Sequence, residues 1–220
     1  PIPIWTSPDT RAYPVRMTEK FLGKTYSPKS AGEAQEHYDR WAATYEQEVA
    51  DNGYATPQRI AEALWRHLPE AQAPVLDFGC GTGLSGLALR LVGFEVVDGA
   101  DPSPEMLEIA RQKDAYRALT LLDISDPVPI AKGQYRAIAG VGVFGIGAAP
   151  PDAFDGVMHG LSSGGLFAFS YNDHALADAS FTGKLNEWLD CGAARLLFRE
   201  HGLHLPAIGL NAEIYVIERA

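Results

Sequence analysis

Three features of this chain predict a doubly wound α/β fold. Short apolar runs that read as strands alternate with longer runs of helical period, the pattern of a mainly parallel sheet covered on both faces. One strand-to-helix junction, Asp77-Phe78-Gly79-Cys80-Gly81-Thr82-Gly83, places an acid ahead of three alternate glycines. Leu166-Phe167-Ala168-Phe169 is apolar without alternation, as expected of a strand buried on both sides. At 220 residues and 46% hydrophobic content the chain is sized for one substantial core.

Each element has its own signal. Residues 1 to 29 are rich in proline and polar residues without sustained period, and read as an arm. Ser30-Ala31-Gly32-Glu33 has capping-box spacing and opens a helix whose Ala34, Tyr38, Trp41, Tyr45 and Val49 share one face. Asn52-Gly53 ends it. Thr56-Pro57 starts a second helix with Ile60, Ala61, Leu64, Trp65 and Leu68 inward. Residues 1–70 are therefore assigned to an arm and helical cover, and 71–220 to the α/β core.

In the core, Val75-Leu76 leads into the glycine corner and Leu84 to Val92 is the helix after it. Phe94 to Asp101 reads as a second strand. Ser103 caps the next helix and Pro104 suits its first turn, where no N–H is wanted. Met106, Leu107 and Ala110 supply that helix with an apolar face. Further strands are expected at Ala118 to Leu122, Arg136 to Val143, Gly165 to Tyr171, Arg195 to Phe198 and Glu213 to Ile217. A late helix carries Phe181, Leu185, Trp188 and Leu189 and stops near Gly192. There are no internal repeats.

Two ligands compete for the glycine corner. Gly81-x-Gly83-x-x-Gly86, with Asp101 downstream, fits the dinucleotide pattern and a nicotinamide-dependent oxidoreductase. Gly86 equally suits close packing of helix on sheet. Asp77, however, aims negative charge where a pyrophosphate must settle, whereas a sulfonium with an α-ammonium is attracted by it. Asp77-x-Gly79-x-Gly81-x-Gly83, followed by Asp101-x-Ser103-x-x-Met106-Leu107-x-x-Ala110, resembles class I S-adenosylmethionine-dependent methyltransferases of type 11/12. The resemblance implies a Rossmann-like seven-stranded sheet of order 3-2-1-4-5-7-6 with the last strand antiparallel.

It also implies roles. Asp77, Gly79, Gly81 and Gly83 would hold the methionine part of the cofactor, with Cys80 packed beneath. Asp101 would take the ribose hydroxyls, Pro102 and Met106 would lie near adenine, Asp123 would accept the exocyclic amine and Ile124 cover a ring face. Val141 would line the same site after the fourth strand. Tyr38-x-x-Trp41-Ala42-x-x-Tyr45, with Gly53-Tyr54 and Pro57, is similar to the leading segment of Williams–Beuren-region-type methyltransferases. Tyr38 and Tyr45 are expected to border the cofactor, since aromatic faces attract a sulfonium as they do an ammonium. Trp41 is expected to be partly core, and the alternative is a helix whose aromatics simply dock on the sheet.

No catalytic group is as well marked. Methyl transfer is an in-line displacement at an activated carbon, so alignment and desolvation can supply most of the rate. Asn172-Asp173-His174 follows the fifth strand, with His174 a candidate base and Asp173 a candidate orienting group. The same triplet reads as a helix cap with His174 in the first turn. His159 reads as structural, and His201-x-x-His204 lacks the companions of a metal site, so no metal is expected.

Composition narrows the partners. A net charge of −10 argues against general binding of nucleic acid, and Arg11, Arg16, Lys20, Lys24 and Lys29 read as a solvated arm. No apolar stretch suits a membrane helix. The two cysteines and the lack of an export pattern at Pro1-Ile2-Pro3 fit a cytoplasmic monomer or homodimer. Val141 to Ala148 lacks an Asn-Pro-Pro-aromatic box, paired glutamates and acidic metal ligands. A small, partly apolar methyl acceptor is the substrate class expected, giving S-adenosylhomocysteine as the second product. A silent binder of the cofactor is the remaining alternative.

Overall fold

The computed structural model describes residues 21–25, 30–123 and 130–220. The expectations for most of the arm and for Ile124 lie outside the described residues. Two helices lead, α1 (Ala31–Asp51) and α2 (Thr56–His67). The core then runs β1 (Val75–Phe78), α3 (Leu84–Val92), β2 (Val97–Asp101), α4 (Pro104–Arg111), β3 (Ala118–Leu121) and β4 (Ala137–Gly140). It ends with α5 (Ala153–Gly160), β5 (Leu166–Asn172), α6 (Asp173–Ala177), α7 (Ala179–Asp190), β6 (Ala194–Leu205) and β7 (Leu210–Arg219).

Local chemistry starts these elements where the residue types demand. The Ser30 hydroxyl accepts from the Glu33 amide at 3.2 Å and caps α1. Ser103 accepts from the Met106 amide at 3.1 Å, with Pro104 as the first residue of α4. Ser103→Ala is expected to cost about 1 kcal/mol, measured by urea denaturation, because that buried amide then has no acceptor.

The seven strands form one sheet of order β3-β2-β1-β4-β5-β7-β6. β1 to β5 are parallel, and β7 inserts antiparallel between β5 and β6. Strand alternation divides the core into two layers. Val75, Ala137, Leu166, Ala168, Ile214 and Val216 face Ile60 and Leu64 of α2 and Leu89 of α3. Leu76, Ile138, Phe167, Phe169, Tyr215 and Ile217 face Phe154 and Val157 of α5 and Phe181 and Leu185 of α7. With this topology a ligand is expected beyond the carboxyl ends of β1, β2 and β4, where the order reverses.

Helix α1 roofs that end. The Gln35 amide donates to the Pro102 carbonyl at 2.8 Å, and Lys113 after α4 pairs with Glu46. Trp41 and Val49 are buried against Leu205 and Leu210, so Trp41 is wholly core rather than partly so. The strand expected from Phe94 begins at Val97, and the one expected to reach Val143 ends at Gly140. β6 is far longer than the expected Arg195 to Phe198. Its apolar run stops at Phe198, and the strand continues through the polar Arg199-Glu200-His201, with Leu196 and Leu203 exposed at the sheet edge, so its full length has no continuous apolar signal. No described helix is long and apolar enough to cross a membrane.

Candidate functional site

The glycine corner is built from backbone that only glycine adopts easily. Gly79 and Gly81 have φ of +71° and +52°. A Cβ on Gly79 would stand 2.4 Å from Val143 Cγ2, whereas one on Gly81 would meet nothing within 4 Å. Gly81 therefore leaves its backbone open to the cleft, and Gly79 lets the chain pass close to the loop after β4. Gly83, with φ +93°, begins α3 and packs toward Lys113, Tyr116 and Ala110 rather than into the cleft.

A cleft of about 200 Å³ opens over this corner. Its floor includes Gly79, Gly81 and Val141, and its flank includes Asp101, Pro102 and Met106. Leu122 and Asp123 line the β3 side, and Tyr38 and Tyr45 descend from α1. The sequence thus anticipated nearly half of the lining. Ala34 and Gln35 of α1, Phe78, Ser103, Leu122, Gly142, Val143, Ala148 to Pro150 and Ala153 were not anticipated. Gln35 lies on the same helical stripe as Tyr38, which was the one available signal.

Asp101 ends β2 and is 7% exposed. Its Oδ2 accepts from the Gly81 amide at 2.8 Å and its Oδ1 from the Ser103 amide at 2.9 Å. These two bonds fix the carboxylate against the corner. Each oxygen retains a lone pair for a second donor on the cleft side. Burial raises its pKa to about 6, opposed by the two amide bonds.

Asp77 is placed differently from expectation. It is 0% exposed and is not among the residues lining the cleft. Strand alternation turns it to the face of Val75, under α3, while Phe78 faces the cleft. Its Oδ2 accepts from Ser85 Oγ at 2.6 Å and from the Tyr116 hydroxyl at 2.7 Å. Its Oδ1 is buried with no partner among the described residues. Burial is the main cause that lifts its pKa to about 6, with the two hydroxyl bonds acting the other way. Cys80 is buried beside it, and burial pushes that thiol well up, so Cys80 is packing and not a nucleophile.

Gly86 has a local explanation. A Cβ there would lie 2.2 Å from Tyr116 Cζ and 2.3 Å from its hydroxyl, and the Gly86 amide donates to that hydroxyl at 3.1 Å. The third glycine of the apparent dinucleotide pattern makes room for the tyrosine that holds Asp77.

Asp173 and His174, the candidate orienting group and base, lie away from this cleft. The Asn172 side chain accepts from the Ala175 amide at 3.0 Å and caps α6, with His174 exposed in its first turn. Asp173 accepts from the Asn211 amide at 2.9 Å and sits 3.3 Å from His201 Nε2. The triplet joins α6 to β6 and β7 and brings no base to the cleft.

The residues present fit S-adenosylmethionine. An open glycine backbone, a buried unpartnered carboxylate oxygen behind it and a second carboxylate beside it suit a ligand with an ammonium, a sulfonium and a ribose diol. Of the two, Asp77 beneath the corner disfavours a pyrophosphate, whereas Asp101 would suit the ribose of either cofactor.

Comparison with known proteins agrees. Residues 75–165 match the family model of a methyltransferase domain. The human methyltransferase-like protein 27 is 38% identical over 132 residues, covering 59% of this chain and 54% of that protein. An 18S rRNA (guanine(1575)-N(7))-methyltransferase of Saccharomyces cerevisiae is 38% identical over 63 residues, covering 29% of this chain and 23% of its own. The chain thus spans about half or less of the length of these curated relatives. A solved S-adenosylmethionine-dependent methyltransferase from Thermotoga maritima, titled a possible histamine N-methyltransferase, shares the fold. Its TM-score is 0.57 at 17% identity, over 84% of this chain and 99% of that one.

Proposed function

We propose that this chain, whose residues 75–165 match the family model of a methyltransferase domain, is a class I, S-adenosylmethionine-dependent enzyme that methylates a small-molecule acceptor. The observation that carries the cofactor's placement is the pairing of Asp101 with the Gly81 and Ser103 amides at the open end of the sheet. Bound there, the cofactor supplies an electrophilic methyl group on a positively charged sulfur.

The chain's own residues bind, orient and exclude water. Asp101 would receive the ribose hydroxyls as charge-assisted hydrogen bonds. Gly79 and Gly81 would offer backbone to the amino-acid portion, with the Asp77 charge felt through the loop from beneath. Pro102, Met106 and Asp123 would flank adenine, with Ile124 next in sequence. Tyr38 and Tyr45 would roof the sulfonium and keep water from the methyl. Burial lifts the Tyr45 hydroxyl pKa well above its ordinary value, so it stays protonated and neutral there.

A small acceptor is supported by the aromatic residues of α1 that line the cleft and by the net charge of −10, which opposes a polyanionic substrate. The rRNA enzyme among the relatives favours a polymer instead, and the assays below separate the two. The direct test of the cofactor is thermal shift. S-adenosylhomocysteine at 100 times its dissociation constant should add about 2.7 kcal/mol to stability, and NADH should add nothing; the reverse ranking would overturn the reading.

The two raised carboxyls give a pH signature. Both hold protons more tightly folded than unfolded, where the ordinary value is 3.8. Their contribution to stability of the unliganded protein is therefore full below about pH 4 and lost as pH rises through about 6. A cationic ligand acts oppositely, because it favours the charged carboxylates. Affinity for S-adenosylmethionine should fall below pH 6, by about tenfold per carboxyl at pH 5. Calorimetry at pH 6 in buffers of different ionisation enthalpy should register proton release on binding; proton uptake would contradict this assignment.

A further inference from the structure

A second chamber of about 60 Å³ adjoins the cleft and shares Tyr38, Tyr45, Gly142 and Ala148 with it. Its other walls include Trp41, Tyr54 and Phe144, with Ser170 and Asn172 at the end of β5 and His204 on β6. None of its described lining residues is Asp, Glu, Lys or Arg. A carboxylate entering it would lose water without meeting a counter-charge, and an ammonium would meet only aromatic faces in place of one. An uncharged molecule meets no such penalty, and the aromatic walls favour a ring.

The chamber nevertheless carries polar groups that the fold does not satisfy. Trp41 is 2% exposed, and its indole N–H has no partner among the described residues. Thr25, in the same wall, has a buried hydroxyl oxygen in the same condition. Buried donors of this kind are costly unless something pairs with them. His204 is 8% exposed, with Nδ1 at 2.7 Å from Thr56 Oγ1, which fixes the ring and leaves Nε2 as its other polar atom. The Tyr54 ring packs edge-on against the imidazole at 5.3 Å. A hydroxyl is both donor and acceptor, so it can donate to a bare imidazole nitrogen and still accept from an N–H.

Taking the cofactor cleft as read above, the geometry points to this chamber as the acceptor subsite, where a small, uncharged, ring-bearing molecule is held by its hydroxyl on Nε2 of His204. The tautomer required carries its proton on Nδ1, donated to Thr56 Oγ1. Burial lowers the His204 pKa to about 4, with Arg59 acting the same way and Asp173 opposing, so the ring is neutral at physiological pH. A neutral imidazole here accepts the hydroxyl's hydrogen bond and fixes the oxygen's orientation in the chamber. The chain reaches this arrangement with a residue from the edge strand, far in sequence from the glycine corner.

The test uses the full chain saturated with S-adenosylhomocysteine and three probes of similar size: phenol, benzylamine and benzoate. Calorimetry at pH 7.5 should show phenol binding at least tenfold more tightly than either charged probe. His204→Phe should erase that preference while the affinity for S-adenosylhomocysteine stays within twofold. In the wild type, the ¹⁵N spectrum of His204 should show the Nδ1–H tautomer and a shift of Nε2 on adding phenol, a readout that does not depend on any variant folding. Benzylamine or benzoate binding best, phenol affinity unchanged in the variant, or an Nε2–H tautomer unmoved by phenol would each overturn the proposal. Failure of S-adenosylhomocysteine itself to bind would instead remove the cofactor reading on which it rests.

Discussion

Asp101→Asn is expected to weaken binding of S-adenosylmethionine about 100-fold with the fold retained. The change keeps size and shape but replaces a charged acceptor with a neutral one at two ribose hydroxyls. Each such bond is worth about 1–1.5 kcal/mol more to a charged group than to a neutral one. The asparagine also presents an NH₂ to either Gly81 or Ser103, whose amides now donate to the two carboxylate oxygens. One backbone donor at the corner then loses its acceptor, so the loop loosens as well. In thermal shift, a ligand concentration that adds about 2.7 kcal/mol to the wild type should add only about 0.4 kcal/mol to the variant. An undiminished response would place the ribose elsewhere.

Gly86→Ala should destabilise the protein by about 1–3 kcal/mol, although alanine is the better helix former by about 1 kcal/mol. The new methyl would meet the Tyr116 ring and hydroxyl at 2.2–2.3 Å and displace the group that donates to Asp77 at 2.7 Å. For a chain of this size the melting temperature should fall by roughly 5 °C. In a Tyr116→Ala background the same substitution should become neutral or stabilising, because the obstacle is gone and only helix propensity remains. A cost that persists in that background would mean that Gly86 answers to something other than Tyr116.

Much of the sheet was legible from the chain because its signals are local. Ser30 and Ser103 announce their helices through side-chain caps, and Gly79 and Gly81 mark turns that other residues resist. Asp101, at the end of an apolar run and one turn before a capped helix, could be placed on the cleft from spacing. The order of β5, β7 and β6 came only through family resemblance, since pairing between distant segments leaves no local trace. Asp77 lies beneath the corner and not on the cleft because the strand ends at Phe78 and alternation turns the acid inward, toward Tyr116 some 39 residues away. Asp173 and His174 looked chemical because of their position after β5, yet their side chains serve β6 and β7, which the sequence did not place beside them. His204 drew notice only beside His201, as part of an unpromising metal spacing, for the complementary reason. Its burial depends on Thr56 and Tyr54, 148 and 150 positions earlier in the chain.

Methyl transfer from S-adenosylmethionine to a small molecule at this cleft can be followed with a tritiated methyl group, transferred by the purified protein into a cell extract separated by size into metabolites, RNA and protein. Label should enter the metabolite fraction, pass into organic solvent, and be lost with Asp101→Asn. Label confined to RNA or protein, or none in any fraction despite saturating cofactor, would contradict it.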